Sequence, residues 1–152
     1  KLMPQSRRKR LPMIRGALGR PHHFEDHQAA FNFYRGKRAF AGMDDSALWD
    51  YVQASKVPSE EGGVRLAYPG TWEASVYASL PWMWPRVMRL KMPTLGLVAR
   101  ESDVITPGVF RRWQRVQPAA DLQLCPGGHL LPLERPKETA ERVLGFLQRQ
   151  GA

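Results

Sequence analysis

Pro93-Thr-Leu-Gly-Leu-Val-Ala-Arg-Glu-Ser-Asp103 and Cys125-Pro-Gly-Gly-His129-Leu-Leu-Pro-Leu-Glu134 are the two pieces of sequence that decide how this chain folds. Thr94 to Ala99 is mostly apolar, follows a proline and is too short for a stable helix, so it reads as a buried strand. It runs into a polar loop carrying Asp103. Pro107 to Val116 then has the spacing of a helix, with proline in the first turn and Val109, Phe110, Trp113 and Val116 recurring at helical intervals. Asp121 to Cys125 is a second short strand, with Leu122 and Leu124 alternating, and it opens into a glycine loop carrying His129. Strand, helix, strand is a crossover, and a crossover makes its two strands parallel. Their carboxyl ends then share one edge of the sheet, the edge where open α/β sheets build sites. Asp103 and His129 each lie just past such an end. A carboxylate and an imidazole delivered together are two thirds of a nucleophile, base and orienter constellation.

The same residues resemble a known family. Pro93-Thr-Leu-Gly-Leu-Val-Ala99 with Asp103 behind it, then Pro126-Gly-Gly-His129, Pro132-Leu-Glu134-Arg-Pro136 and an amphipathic helix, look like the C-terminal part of an α/β-hydrolase. The likeness covers roughly residues 89–150 well and the earlier chain mainly by composition. In that family the acid follows one late strand and the histidine follows the last, in the order nucleophile, acid, histidine. The resemblance therefore implies an α/β fold: two parallel strands with helices at the C-terminal end, preceded by a mostly helical cap. It also implies hydrolysis of ester-like or similarly apolar small molecules. The expected division is a basic connecting segment over 1–21, a helical cap over 22–88 and the late part of the hydrolase core over 89–152. Where the family commonly has a glycine three residues before the acid, this chain has Arg100, and Glu101 stands as the alternative acid.

The nucleophile is missing from this pattern. The serines are Ser6, Ser46, Ser55, Ser59, Ser75, Ser79 and Ser102, and none lies in Gly-x-Ser-x-Gly or follows a buried strand into a helix. No His-Gly-Gly oxyanion loop is present. In the resembling family both parts precede this segment, so the expectation is a fragment that needs the missing N-terminal half of the same fold as its partner and is inactive alone. A non-catalytic remnant serving as a binding module is the alternative, and a basic nucleic-acid-binding protein is the third reading.

Composition narrows these readings. With 152 residues and 43% hydrophobic content the chain is long enough for one domain with a core. A single cysteine excludes an internal disulfide, and Cys125 is expected to be a small buried core residue. No apolar run reaches the roughly 18 residues of a membrane span, and no apolar stretch of a signal peptide follows the basic start. The chain begins at Lys1 rather than methionine, so the native start is expected upstream; the expected location is cytoplasmic. Lys1, Arg7, Arg8, Lys9, Arg10, Arg15 and Arg20 supply most of the +9 net charge. No aromatic interleaves with them to stack on bases, so a solvated basic segment is favoured over a nucleic-acid patch.

Along the rest of the chain, His23 and His27 are four apart, but no Glu of a His-Glu-x-x-His motif and no third ligand accompanies them, so neither metal nor cofactor is expected. Phe24, Phe31, Phe33 and Tyr34 predict an aromatic-rich helix ending at Gly36. Asp44-Asp-Ser46 predicts a helix start, with Ala47, Leu48, Tyr51 and Val52 on the apolar face. Val64 to Tyr68 reads as extended, and Thr71 begins a short helix. Pro81-Trp-Met-Trp-Pro85, with Trp72 upstream, is either a pocket wall or helix packing. Ala140, Val143, Leu144 and Leu147 predict a closing helix with that face on the sheet.

Overall fold

The computed structural model describes residues 12–79 and 81–151. The basic cluster Lys1, Arg7, Arg8, Lys9 and Arg10 lies outside the described residues. The elements in order are α1 (Pro12–Leu18), β1 (His23–Phe24), α2 (His27–Arg35), a 3-10 turn (Arg38–Phe40), α3 (Asp45–Ser55), β2 (Lys56–Pro58), β3 (Val64–Leu66), α4 (Gly70–Ser79), α5 (Trp84–Val87), β4 (Leu95–Ala99), α6 (Pro107–Val116), β5 (Asp121–Cys125), α7 (Leu131–Glu134) and α8 (Pro136–Arg149). None of the described helices is long and apolar enough to cross a membrane. The described residues form two compact units, one of residues 12–34 and 49–82, the other of 35–48 and 83–151.

The first unit contains an antiparallel sheet in the order β1-β3-β2. Phe24 pairs with Val64, and Val57 with Arg65. Phe24 therefore belongs to a strand and not to the helix expected over the aromatic run. Pro58 is tolerated because β2 is an edge strand, where a missing amide costs no ladder bond. The β2–β3 turn closes through Gly62 and Gly63, both at positive φ. A Cβ on Gly63 would also collide with the carbonyl oxygens of Phe24 and Glu25. Beside the sheet, α1 packs on α4 through Ile14, Ala17 and Ala74. Arg20 grips the Glu73 carboxylate with two nitrogens, at 2.8 and 3.2 Å, and Glu73 also accepts from the Tyr77 hydroxyl at 2.9 Å.

The core of this unit holds a lysine. Lys56 is only 5% exposed. Its Nζ lies 4.5 Å from the Tyr34 ring centroid, 5.4 Å from Tyr51 and 5.9 Å from Phe24, and it donates to Ser55 Oγ at 2.7 Å. The ring faces attract an ammonium. Burial opposes it and wins: with help from the Arg20 charge it lowers the Lys56 pKa from 10.5 to about 8. The same burial pushes the Tyr34 and Tyr51 phenols up.

The second unit contains the parallel pair expected from the crossover. β4 and β5 run in register from Leu95 opposite Asp121 to Ala99 opposite Cys125. α6 starts as its sequence predicts: Pro107 occupies the first turn and Thr106 Oγ1 accepts from the Val109 amide at 3.4 Å. The helix lies close on the sheet because Gly96 has no side chain; a Cβ there would meet Leu122 at 2.6 Å and Trp113 at 2.8 Å. Trp113 Nε1 donates to Gln117, and Gln117 donates to Thr94 Oγ1 at 3.1 Å, so the helix end is tied to the strand start. On the other face Cys125, 1% exposed as expected of a small core thiol, packs with Ala99 and Leu131.

The closing helix α8 departs from expectation. Val143, Leu144 and Leu147 are 38%, 57% and 42% exposed, so the apolar face does not lie on the sheet. The face that does carries Arg142, the half-buried Phe146 and Arg149: Arg142 donates to Gln123 Oε1 at 2.8 Å and Arg149 pairs with Asp121 at 2.8 Å. Asp121 and Gln123 alternate on the β5 face turned to α8, and two specific polar partners outweigh a stripe that a two-stranded sheet is too narrow to cover.

Candidate functional site

The two loops that leave the parallel strands are laced together beyond the strand ends. The Arg100 amide donates to the Cys125 carbonyl at 2.9 Å, and the Glu101 amide to the Gly127 carbonyl at 3.1 Å. The ladder thus continues into the loops and brings residue 102 beside residue 129. Gly127 has φ +120°, a conformation that L side chains rarely adopt. The Glu134 carboxylate accepts from the Gly128 amide, which braces the histidine loop as α7 turns back toward it. A Cβ at Gly128 would crowd Glu134 at 2.6 Å, and one at Gly42 would crowd it at 2.8 Å.

His129 and Asp103 both lie where the sequence places them, in the loops after β5 and β4 at the carboxyl edge. Both are exposed. Asp103 forms no hydrogen bond to His129. The partner at the ring is Ser102, whose Oγ lies 3.2 Å from His129 Nδ1. Ser102 Oγ also accepts from the Val104 amide at 3.2 Å and the Ile105 amide at 3.0 Å. Glu101 makes no side-chain bond to the ring either. Ser102 was missed in the sequence: serine accepts from amides two and three residues on, and that local habit, not the ring contact, is what Ser-Asp-Val-Ile encodes.

A hollow of about 160 Å³ opens beside the pair. Leu97, Ile105, Leu131 and Pro132 give it apolar walls, and Ser102 and His129 form a polar edge. Thr139, whose hydroxyl is buried without a partner, also borders it. The arrangement offers an accessible imidazole, a hydroxyl on its Nδ1, a carboxylate one residue away and a small apolar recess. No group of three or more His, Cys, Asp or Glu among the described residues is placed to hold a metal ion. His23 Nε2 instead lies 2.6 Å from the Gly62 carbonyl.

Known structures share the fold of this chain. The chain superposes on the crystal structure of E-2-(acetamidomethylene)succinate hydrolase with a TM-score of 0.79 at 18% identity, covering 90% of this chain and 52% of that one. This chain has the fold of part of an α/β-hydrolase. A peroxisomal α/β-hydrolase from Saccharomyces cerevisiae matches with a TM-score of 0.72 at 18% identity, covering 97% of this chain and 40% of that one. An esterase from M. tuberculosis matches with a TM-score of 0.70 at 17% identity, covering 95% and 47%. The chain thus spans about half the length of these α/β-hydrolases. No family model and no curated protein sequence matches it.

Proposed function

We propose that His129 and Asp103 are the base and the acid of an α/β-hydrolase-type site, acting on ester-like or similarly apolar small molecules, with nucleophile and oxyanion donors carried by sequence upstream of Lys1. In this reading residues 1–21 connect, 22–88 form a cap, 89–152 are the late part of the core, and the protein works in the cytoplasm with no nucleic-acid partner. The observation that carries it is the lacing of the two post-strand loops, which delivers a carboxylate and an imidazole to one edge of a parallel sheet. The residue types suit the chemistry. An imidazole can take a proton near neutral pH, and a carboxylate behind it fixes the tautomer and stabilises the imidazolium.

The test is hydrolysis of short-chain nitrophenyl esters by this chain alone and by the chain joined to its upstream coding sequence. Alone it is inactive, because a base and an acid activate a nucleophile without replacing it. In the joined protein His129→Ala lowers turnover roughly 10³-fold or more, and Asp103→Asn does so to a similar order. Loss with Glu101→Gln in place of Asp103→Asn moves the acid to Glu101. Turnover by the chain alone that depends on His129 would falsify the missing-nucleophile reading. A second reading, a non-catalytic binding module, is favoured by Ser102 standing where a carboxylate should; inactivity of the joined protein supports it.

A further inference from the structure

One hydroxyl at the sheet edge has three neighbours. Ser102 Oγ is in hydrogen-bond reach of the Val104 amide, the Ile105 amide and His129 Nδ1. The amides can only donate. A hydroxyl has two lone pairs and one hydrogen, so the two amides use its whole accepting capacity. What remains for the ring is the hydroxyl hydrogen. A ring nitrogen that accepts it carries no hydrogen of its own, and a neutral imidazole has one N–H. That hydrogen is therefore on Nε2. The opposite assignment, Nδ1–H donating, crowds three donors onto two lone pairs.

We infer that Ser102 holds His129 as the Nε2–H tautomer, a resting form, and that the ring becomes a base at Nε2 only when a carboxylate of the same loop replaces Ser102 at Nδ1. The inference rests on the reading of His129 as a base. To accept a proton at Nε2 the ring must carry its hydrogen on Nδ1, the tautomer a carboxylate enforces and a donating hydroxyl forbids. The exchange is balanced: Nε2 gives one proton to water, Nδ1 takes one from water, and the ring stays neutral. Asp103 lies inside the turn that Ser102 closes onto Val104 and Ile105, so opening that one turn withdraws the hydroxyl and moves the exposed carboxylate with it. Ser102 is in this sense a positioning residue, acting through His129.

The experiment reads the ring nitrogens directly. The full chain, labelled with ¹⁵N, is observed by multiple-bond ¹H–¹⁵N correlation at a pH where the rings are neutral, with the His129 signals assigned by their loss in His129→Ala. In the unmodified chain Nδ1 is expected to be pyridine-like and Nε2 pyrrole-like. Ser102→Ala should raise the Nδ1–H fraction severalfold, and Ser102→Thr, which keeps the hydroxyl, should restore the original pattern. A pyrrole-like Nδ1 in the unmodified chain, or a Ser102→Ala spectrum identical to it, overturns the inference. Should Ser102→Ala not fold, the Nδ1–H fraction of the unmodified chain is compared with that of free neutral histidine, and an equal fraction overturns the inference. A locked tautomer with no hydrolysis in the joined protein keeps the lock and removes the catalytic reading; hydrolysis with an unlocked ring does the reverse.

Discussion

The two compact units solve the problem of burial in opposite ways. The first encloses even a lysine, ringed by Phe24, Tyr34 and Tyr51, and offsets charge with charge between Arg20 and Glu73. The second spends its polar groups on docking α8 and leaves Val143, Leu144 and Leu147 in water. Where several short elements meet from different parts of the sequence, there is surface enough on all sides to hide apolar and polar groups alike. Two strands of five residues cannot cover a fourteen-residue helix.

The sharpest way to break the contrast is to truncate a buried leucine of the first unit. Leu66 is 5% exposed in the three-stranded sheet, and Leu66→Ala should cost about 2–5 kcal/mol of stability in urea unfolding, through lost burial and the cavity left behind. A cost below about 1 kcal/mol would show that this core is loosely packed.

A middle-sized effect concerns Lys56. Its pKa is about 8 in the folded chain against an ordinary 10.5, so the unfolded chain binds more protons between those values and stability should rise with pH across that window. Tyr34 and Tyr51 act oppositely from 10.0 upward: their raised folded pKa contributes stability that is present below the ordinary value and lost above it. The gain from Lys56 should therefore show between pH 8 and 10 and fade beyond. Lys56→Met should flatten it, removing a rise on the order of 1–2 kcal/mol in urea titrations across the window. A rise that survives the substitution would assign it to another group.

The smallest effect is expected at the exposed stripe. Leu144→Gln should change stability by about 0.5 kcal/mol or less in urea unfolding, because the side chain is already in water. A loss of 2 kcal/mol or more, about the cost of a core truncation, would mean that Leu144 is covered in solution.

Much of this was legible in the chain. The apolar run after Pro93, the Thr106-Pro107 helix start and the alternation before Cys125 each encode their element locally, and the parallel pairing follows from their order. Asp44 behaved likewise: its carboxylate accepts from the Ala47 amide at 2.7 Å and starts α3. The three-stranded sheet was not legible, apart from the extended piece at Val64. Lys56-Val-Pro58 has the composition of a loop and becomes a strand only because β3, arriving from farther along, supplies its ladder. Phe24 shares the aromatic composition of the following helix, and nothing local separates it. The closing helix misled for the reverse reason: its apolar face is real, and periodicity names a face without naming what covers it. At the site, the edge and both loops were legible, but the ring partner was not, because a contact between residues 27 apart has no local signature.

Gly42 lies far in sequence from Gly128 and Glu134, yet the three share one small volume, since a Cβ on either glycine would press on the same carboxyl group. In the language of inheritance they are a single character written in three places. A lineage that drifts to alanine at position 42 or 128 must move or shorten the side chain at 134, and with it the support under the loop that carries His129. An engineer exchanging segments between this chain and another of its fold therefore inherits a rule: the three positions travel together, or the histidine loop is re-formed from scratch.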